Sequence, residues 1–339
     1  MTEKNSNFIN FLEEKLMPAA SKLSEQRHLK AIRDGIMSTI PLTIIGGISL
    51  IIAFPPVDPA RTEATNIFKK FLLGWYSWAT ANMDAILTPF NMTMAIMSLF
   101  AAVAIAYSLA KEYQKKVEID PLSSAVISGV VFLLVSAPAT EGAIPMTYLD
   151  AKGLFTAMII GLVTVEITRA LLEKGISIKM PDGVPPTVSA SFTALIPMVV
   201  NIALFYAINL IFLSAFGSNI PEAIMRALTP ALSAVDSLWF MLAVIIITHL
   251  LWFVGVHGAA IMGTITAPFF AQNIMANAAA KVAGQPMEFI WTDPLWAVVV
   301  VLGGSGATLA LAVLMLRSKS SQLKAVGKVG ILPGLFNIN

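Results

Sequence analysis

The sequence predicts an all-α, polytopic membrane protein. Of its 339 residues, 57% are hydrophobic and 12% are charged, and the mean hydropathy is +0.78. A soluble globular surface uses charged residues at about a quarter of all positions, so this chain has too few to cover one. Several stretches also lack Asp, Glu, Lys and Arg over about 20 residues, the length that a helix needs to cross the hydrocarbon core.

The charge balance and the motifs exclude several classes of function. The 22 basic and 20 acidic residues give a net charge of +2, which is too balanced for a nucleic-acid-binding protein. The chain has no cysteine, so it cannot form a thiolate metal site or use a cysteine nucleophile. The glycine run 303–308 lacks the lysine of a nucleotide-binding loop, and His-Glu-x-x-His and Gly-x-Ser-x-Gly do not occur. We expect no metal, cofactor or nucleic acid on this chain.

The first 35 residues predict an amphipathic helix on the membrane surface. This helix would lie in the interface and not across it. The mixed charges before the first long apolar run are unlike a secretory signal peptide. Apolar residues recur at spacings of three and four and would form one face of a helix, while lysine and glutamate line the rest. This apolar face consists of Phe8, Leu12, Leu16, Ala19 and Leu23.

Candidate spans follow along the rest of the chain. Segment 71–89 contains Asp84 and has three open interpretations: a span, an interfacial helix or the wall of a polar cavity. Segment 153–172 carries Glu166 and Arg169, which we expect to pair because they are three residues apart on a helix. The uninterrupted candidates are 36–54, 92–110, 122–140, 187–216 and 294–316.

The uncharged segment 237–280 is about twice as long as one crossing. Glycines flank His257 in its middle, which predicts a helix break there. Broken helices at membrane depth occur where protein or a water-filled cavity satisfies the freed backbone groups. We therefore expect a re-entrant hairpin over 258–277 beside a cavity. Together the segments predict about 8 spans plus re-entrant hairpins.

The basic residues predict a cytoplasmic amino terminus. If 71–89 does not cross and 237–280 crosses twice, 15 of the 22 lysines and arginines fall in four loops on one side of the membrane. Basic loops mark the cytoplasmic side. These loops are 1–35, 111–120, 173–186 and 317–330.

Four segments carry a family resemblance. The most specific is 178–186, Ile-Lys-Met-Pro-Asp-Gly-Val-Pro-Pro, with Val188, Ser191-Phe192 and Leu195-Ile196-Pro197 after it. The others are the opening 11–35, the turn 252–258 and the glycine run 303–308. In these segments the chain resembles, over nearly its whole length, the enzyme IIC permeases of the lactose/cellobiose (N,N'-diacetylchitobiose) family of the phosphoenolpyruvate-dependent phosphotransferase system.

The resemblance implies a sugar permease in a bacterial cell membrane. It would bind a β-linked disaccharide such as cellobiose or diacetylchitobiose and release it to the cytoplasm with its phosphorylation. The phosphate would come from a phosphocysteine of enzyme IIB, which enzyme IIA reloads, so no residue of this chain would carry it. The resemblance further implies a fold of about ten spans and a homodimer. Residues 1–35 would be a cytoplasmic segment, 36–175 the dimerising half and 176–339 the sugar-binding half.

The resemblance also assigns residues to the sugar site. His257, in the turn with Gly255 and Gly258, would hydrogen-bond a sugar hydroxyl, with a purely structural hydrogen bond as the alternative. Trp252 would stack on a pyranose ring, unless it is a membrane-interface anchor. We expect His249 to make a packing hydrogen bond, and the glycines at 303, 304 and 306 to permit close helix contact.

The carboxy-terminal motif departs from the family pattern. The family has Asn-x-Asn-Glu-Pro after a Leu-Phe pair, with its glutamate at the sugar site. Here Leu335-Phe336 is followed by Asn337-Ile338-Asn339, where the sequence ends. We therefore expect Asn337 and Asn339 at the sugar site and a fold that is incomplete at its carboxy terminus.

Two other classes of function stay open on the residues. An ion-coupled secondary transporter would relay protons through Asp84, Glu166 or His257, because ionisable groups at membrane depth are costly unless they function. A non-transporting subunit or inactive truncated remnant would neither bind nor transport sugar.

Overall fold

The protein, in a computed structural model, is described over residues 14–15, 17–181 and 183–337. Within these ranges the regular elements are helices, and one isolated β-bridge joins Thr140 to Ala143. This confirms the predicted all-α class. The helices are α1 (Met17–Ser24), α2 (Arg27–Ser38), α3 (Ile40–Ala53), α4 (Ile67–Ala81), α5 (Met83–Asn91), α6 (Met97–Tyr113), α7 (Pro121–Ser136), α8 (Leu154–Glu173), α9 (Pro186–Phe216), α10 (Ile220–Val235), α11 (Leu238–Phe253), α12 (Gly258–Val282), α13 (Thr308–Leu316) and α14 (Ser321–Leu335).

The chain divides into two compact units. The larger unit comprises Asp34–Ala227 and Met275–Glu288, and the smaller unit comprises the described residues of Met1–Arg33, Leu228–Ile274 and Phe289–Asn339. The functional boundary at residue 175 that the sequence suggests stays a prediction.

Four helices of the described chain are long and apolar enough to cross a membrane: Arg27–Ala53, Met94–Tyr113, Ala151–Glu173 and Pro186–Phe216. The pair α10 and α11, bent by 66° at its break, makes a fifth if it counts as one span. The apolar helix α7 is shorter, at 16 residues. By length and composition the described residues thus give four or five spans, and the predicted number of about eight stays a prediction.

Helix α6 forms the core of the larger unit because its small side chains let neighbouring helices approach. A methyl group on Gly161 of α8 would lie 3.1 Å from the carbonyl oxygen of Ala102 in α6. The same oxygen accepts a hydrogen bond from the Ser128 hydroxyl of α7 at 3.0 Å. Small residues at helix contacts are typical of membrane proteins. The fully buried positions of α6 include Ala101, Ala102, Ile105, Ala106, Leu109 and Ala110.

The long helix α9 is tied to α8 by one buried amide. The Asn201 side chain is fully buried, and its Nδ2 donates to Pro197 O at 2.9 Å and to Thr168 Oγ1 at 3.2 Å. No sequence pattern predicts this contact. In the same part of α8, Arg169 forms an ion pair with Glu166 (Nη2 to Oε2, 2.9 Å), which confirms the predicted pair.

Segment 71–89, whose three interpretations stay open, is divided between α4 and α5, of 15 and 9 residues. Two predicted segments differ from the structure. The expected hairpin 258–277 is wrong, since α12 runs unbroken from Gly258 to Val282 and tolerates Pro268 inside it. The expected continuous span 294–316 is also wrong, because Gly303 and Gly304 adopt left-handed φ angles of +82° and +101° that no α-helix contains. A π-helix at Trp296–Val300 precedes this break and α13 follows it.

Candidate functional site

The turn between α11 and α12 carries four of the predicted site residues. Gly255 adopts a φ of +82°, which glycine reaches without steric cost. Its N–H donates to the Trp252 carbonyl at 3.0 Å. The Val256 N–H donates to the Leu251 carbonyl at 2.9 Å, so the last carbonyls of α11 are satisfied. The predicted helix break is confirmed as a tight turn.

Gly258 begins α12 where the backbones of α11 and α12 touch. A methyl group at Gly258 would lie 2.1 Å from the carbonyl oxygen of Thr248, far inside van der Waals contact. Glycine therefore permits this close approach, and the approach fixes the position of His257 directly before α12.

The backbone of α12 sets the tautomer of His257. The N–H of Ala260 donates to His257 Nδ1 at 3.1 Å. Because Nδ1 accepts this bond, the proton of the neutral ring resides on Nε2. The side chain is exposed, so Nε2–H is available as a hydrogen-bond donor.

Trp252 lies beside His257 and has a donor of its own. The ring centroids are 4.5 Å apart, at an interplanar angle of 48°. The Trp252 Nε1 atom is buried and has no hydrogen-bond partner among the described residues. Five other buried polar side-chain atoms of the described residues also lack a partner, so this donor does not by itself indicate a ligand.

The glycine loop 303–307, about 50 residues further along the chain, packs against Trp252 within the smaller unit. A methyl group on Gly306 would lie 3.1 Å from Cδ2 of the Trp252 indole. The Gly303 N–H donates to Oδ1 of Asn337 at 2.7 Å. The glycines thus permit close contact as predicted, although they do so in a loop and not between two regular helices.

The structure brings together most, but not all, of the predicted residues. Trp252, Gly255, His257 and Gly258 form one turn, while Asn337 meets the glycine loop; Asn339 lies outside the described residues. His249 is hydrogen-bonded within α11, Nδ1 to Ile245 O at 2.9 Å, which confirms the predicted packing role.

The larger unit holds a polar cavity that the sequence did not reveal. Its volume is about 430 Å³. Asp120 lies in its wall and caps α7, since its Oδ2 accepts from the Ser123 N–H at 2.7 Å. The cavity is lined by the ends of α6 to α9 and their loops, through Gln114, Glu118, Ile119, Asp120, Ser123, Ser124, Ile127, Thr168, Leu172, Pro186, Ser189, Ala190, Thr193 and Ala194.

Two carboxyl groups outside the spans have altered pKa values. Burial raises the pKa of Asp150 above its ordinary value, and a hydrogen bond from the Lys152 backbone N–H opposes this shift in part. Burial also raises the pKa of Asp293. Among the described residues, no three histidine, aspartate or glutamate side chains lie close enough to hold a metal ion.

Comparison with known proteins decides the family. The family described as "Phosphotransferase system, EIIC" matches residues 33–339. The chain belongs to the EIIC family. Among EIIC proteins it is 36% identical to the PTS system cellobiose-specific EIIC component of Geobacillus stearothermophilus, over 98% of this chain and 74% of that one. It is 40% identical to the lichenan permease IIC component of Bacillus subtilis (strain 168), over 97% of this chain and 73% of that one.

A solved EIIC structure shares the fold. The crystal structure of the transporter ChbC, the IIC component from the N,N'-diacetylchitobiose-specific phosphotransferase system, is similar with a TM-score of 0.82 and 38% identity. The match covers 97% of this chain and 76% of ChbC. EIIC proteins are membrane permeases of the phosphotransferase system. The apolar helices described above agree with this.

Proposed function

We propose that this EIIC chain binds a β-linked disaccharide, such as cellobiose or diacetylchitobiose, and translocates it with phosphorylation by the phosphocysteine of enzyme IIB. The relatives named for cellobiose and diacetylchitobiose support this substrate class. The observation that carries the proposal is the Trp252–His257 pair, in which an indole ring lies beside an exposed imidazole with an Nε2–H donor. A donor next to an apolar ring face suits a sugar, which presents hydroxyl oxygens and apolar C–H faces.

Each residue has a distinct part in this proposal. His257 donates its Nε2–H to a sugar hydroxyl near the phosphorylated position, and Trp252 stacks on the ring. Gly255 and Gly258 shape the turn that holds both. Asn337 and Asn339 stay predictions as direct sugar contacts.

Translocation requires the site to open to either side of the membrane in turn. We propose that the sugar-holding half, 176–339, moves against the dimerising half, 36–175, in a homodimer with a cytoplasmic amino terminus. Enzyme IIB then reaches the sugar from the cytoplasm, and enzyme IIA reloads enzyme IIB. A sugar phosphate is charged and does not recross the hydrocarbon core, so phosphorylation makes uptake directional.

Calorimetric titration of the purified chain with cellobiose tests the site. His257→Ala is expected to weaken binding about tenfold or more, because one hydrogen bond to a buried ligand is worth about 1–3 kcal/mol. His249→Ala is the matched control, since His249 lies eight residues earlier, inside α11, and is hydrogen-bonded to the Ile245 carbonyl of its own helix. Equal affinities for His257→Ala and the wild type would refute the role of His257.

Uptake by vesicles distinguishes the mechanisms. Group translocation requires phosphoenolpyruvate with enzymes IIA and IIB and yields a cellobiose phosphate inside. An ion-coupled transporter would instead lose uptake when ionophores collapse the gradients. A chain with neither binding nor uptake would be a non-transporting subunit or remnant.

A further inference from the structure

Asn337, the glycine loop and Trp252 form a continuous series of contacts within the smaller unit. Asn337 is the second residue after the end of α14 and adopts a left-handed φ of +58°. Among residues with a side chain, asparagine and aspartate tolerate this conformation best. Its Oδ1 accepts the Gly303 N–H at 2.7 Å. The left-handed backbone of Asn337 thus directs its side-chain carboxamide toward the loop.

This bond fixes the N–H of the first residue of the loop, while backbone bonds from Gly304 N–H to Val301 O at 2.8 Å and from Ala307 N–H to Gly304 O at 3.0 Å hold the rest. Gly303 and Gly304 are both left-handed, and Ala307 is left-handed at a φ of +55°, so a regular helical ladder cannot form. The Gly303 carbonyl accepts from the Leu309 N–H at 2.7 Å, which secures one side of the loop to α13. The hydrogen bond to Asn337 secures the N–H on the other side.

The loop in turn limits where the Trp252 indole can lie. Gly306 stands so close to the ring that a methyl group there would be 3.1 Å from Cδ2 and 3.2 Å from Cγ. A shift of the loop toward or away from α11 would therefore compress or free the indole. The indole also lies beside the His257 ring, at 4.5 Å between centroids.

We propose that Asn337 is a positioning residue for the sugar site. Its Oδ1 accepts from the Gly303 N–H, and the loop that is held in this way keeps the Trp252 indole in the position in which a sugar stacks on it. Asn337 thus acts through Trp252 and not by touching the sugar. The inference rests on the proposed function only in the role of Trp252 toward sugar. The contact between loop and indole is independent of any ligand.

Two substitutions separate this role from the alternatives. Asn337→Gly keeps the left-handed φ without strain and removes the acceptor for Gly303. Asn337→Asp tolerates the same φ and keeps an acceptor oxygen, but it loses the amide donor that a direct sugar contact would use. Glu141→Gly is the control, because Glu141 also has a left-handed φ, of +54°, and lies in the other unit.

The first readout does not involve sugar. Acrylamide quenching of tryptophan fluorescence is measured for each full-length variant and for the same variant with Trp252→Phe, and the difference reports on Trp252. Asn337→Gly is expected to raise this difference about twofold by loosening the loop, whereas Asn337→Asp and Glu141→Gly leave it unchanged. Unaltered quenching in Asn337→Gly would overturn the proposal, whether or not the chain binds cellobiose.

The second readout is cellobiose affinity. Asn337→Gly is expected to bind about tenfold more weakly, with Asn337→Asp restored to within about twofold. If both variants lose affinity equally while quenching of Trp252 is unchanged, Asn337 contacts the sugar directly and the positioning role is wrong. A wild type that binds no cellobiose while Asn337→Gly still exposes Trp252 would refute the proposed function alone.

Gly306→Ala tests the same contacts from the other end if Asn337→Gly does not fold. Its added methyl group presses on the indole, so the quenching of Trp252 must change. Unchanged quenching in Gly306→Ala would likewise overturn the proposal.

Discussion

The indole of Trp252 and the imidazole of His257 lie beside each other at the turn that separates α11 from α12, with centroids 4.5 Å apart and ring planes at 48°. Four residues separate them in sequence, and one of these, Gly255, has a left-handed φ. The helix break thus places an aromatic face beside a hydrogen-bond donor. Local backbone geometry thus brings the two rings together, and the glycine loop packs on the indole from a distant part of the chain.

Replacing Trp252 tests whether its ring face contributes to binding. Trp252→Phe is expected to retain most of the cellobiose affinity, while Trp252→Leu loses about fivefold to tenfold, because aromatic stacking adds about 0.5–1.5 kcal/mol beyond burial. Titration calorimetry measures both. Trp239→Leu is the control, since Trp239 is 79% exposed at the opposite end of α11. Equal losses in Trp252→Leu and Trp239→Leu would contradict a stacking role.

Gly35 is expected to be irreplaceable in the larger unit. A methyl group there would lie 2.8 Å from the backbone N and Cα of Ile105, so Gly35→Ala forces α2 away from α6 and costs about 1–3 kcal/mol. Thermal unfolding in detergent measures the loss. Gly47→Ala, in the next helix with no atom within 4 Å of the added methyl, is expected to be neutral or stabilising. Similar melting temperatures for the two variants would show that the α2–α6 contact is loose.

Asp150→Asn is expected to raise the melting temperature at neutral pH. Burial raises the pKa of Asp150 in the folded chain, so its ionised form opposes folding, and stability falls as the pH rises from the ordinary aspartate pKa through the raised one. Asparagine keeps the oxygen that accepts from the Lys152 N–H at 3.0 Å. Melting curves of the two proteins should converge below the ordinary aspartate pKa.

Asp58→Asn is the control for this pH dependence. Asp58 Oδ1 accepts from the Ala60 N–H at 3.0 Å in the same local geometry, but its side chain is 54% exposed. Its replacement should leave the melting temperature nearly unchanged. An Asp150→Asn protein that melts at or below the wild type at neutral pH would disprove the effect of burial.

The absence of native cysteine makes the orientation easy to test by labelling single cysteines. Lys115→Cys is expected to react with an impermeant maleimide only after cells are opened, because the loop 111–120 is predicted to be cytoplasmic. Glu141→Cys, in the exposed loop after α7, should react in intact cells. Reaction of both from the same side would show that α7 does not cross.

The parts of the fold that local residues determine were predictable, and the parts that depend on distant partners were not. The break at Gly255 follows from glycines around one histidine, and the Glu166–Arg169 pair from helical spacing. Glycine is common both at close helix contacts and in sharp turns. The glycine run 303–308 therefore predicts a continuous span as readily as the loop that the structure contains. The hydrogen bond from Asn201 to α8 was not predictable, because a single amide in an apolar segment does not identify the residue that it will bond to.

Helix α9 has 31 residues, which at about 1.5 Å per residue makes it about 46 Å long, against about 30 Å of hydrocarbon. Such a mismatch is relieved by tilt or by overhang, and the position of the hydroxyl groups favours overhang at the amino-terminal end, where Ser189, Ser191 and Thr193 lie within the first turns. The first turns also line the polar cavity of the larger unit. An overhang at this end would place the cavity at headgroup depth, within reach of water.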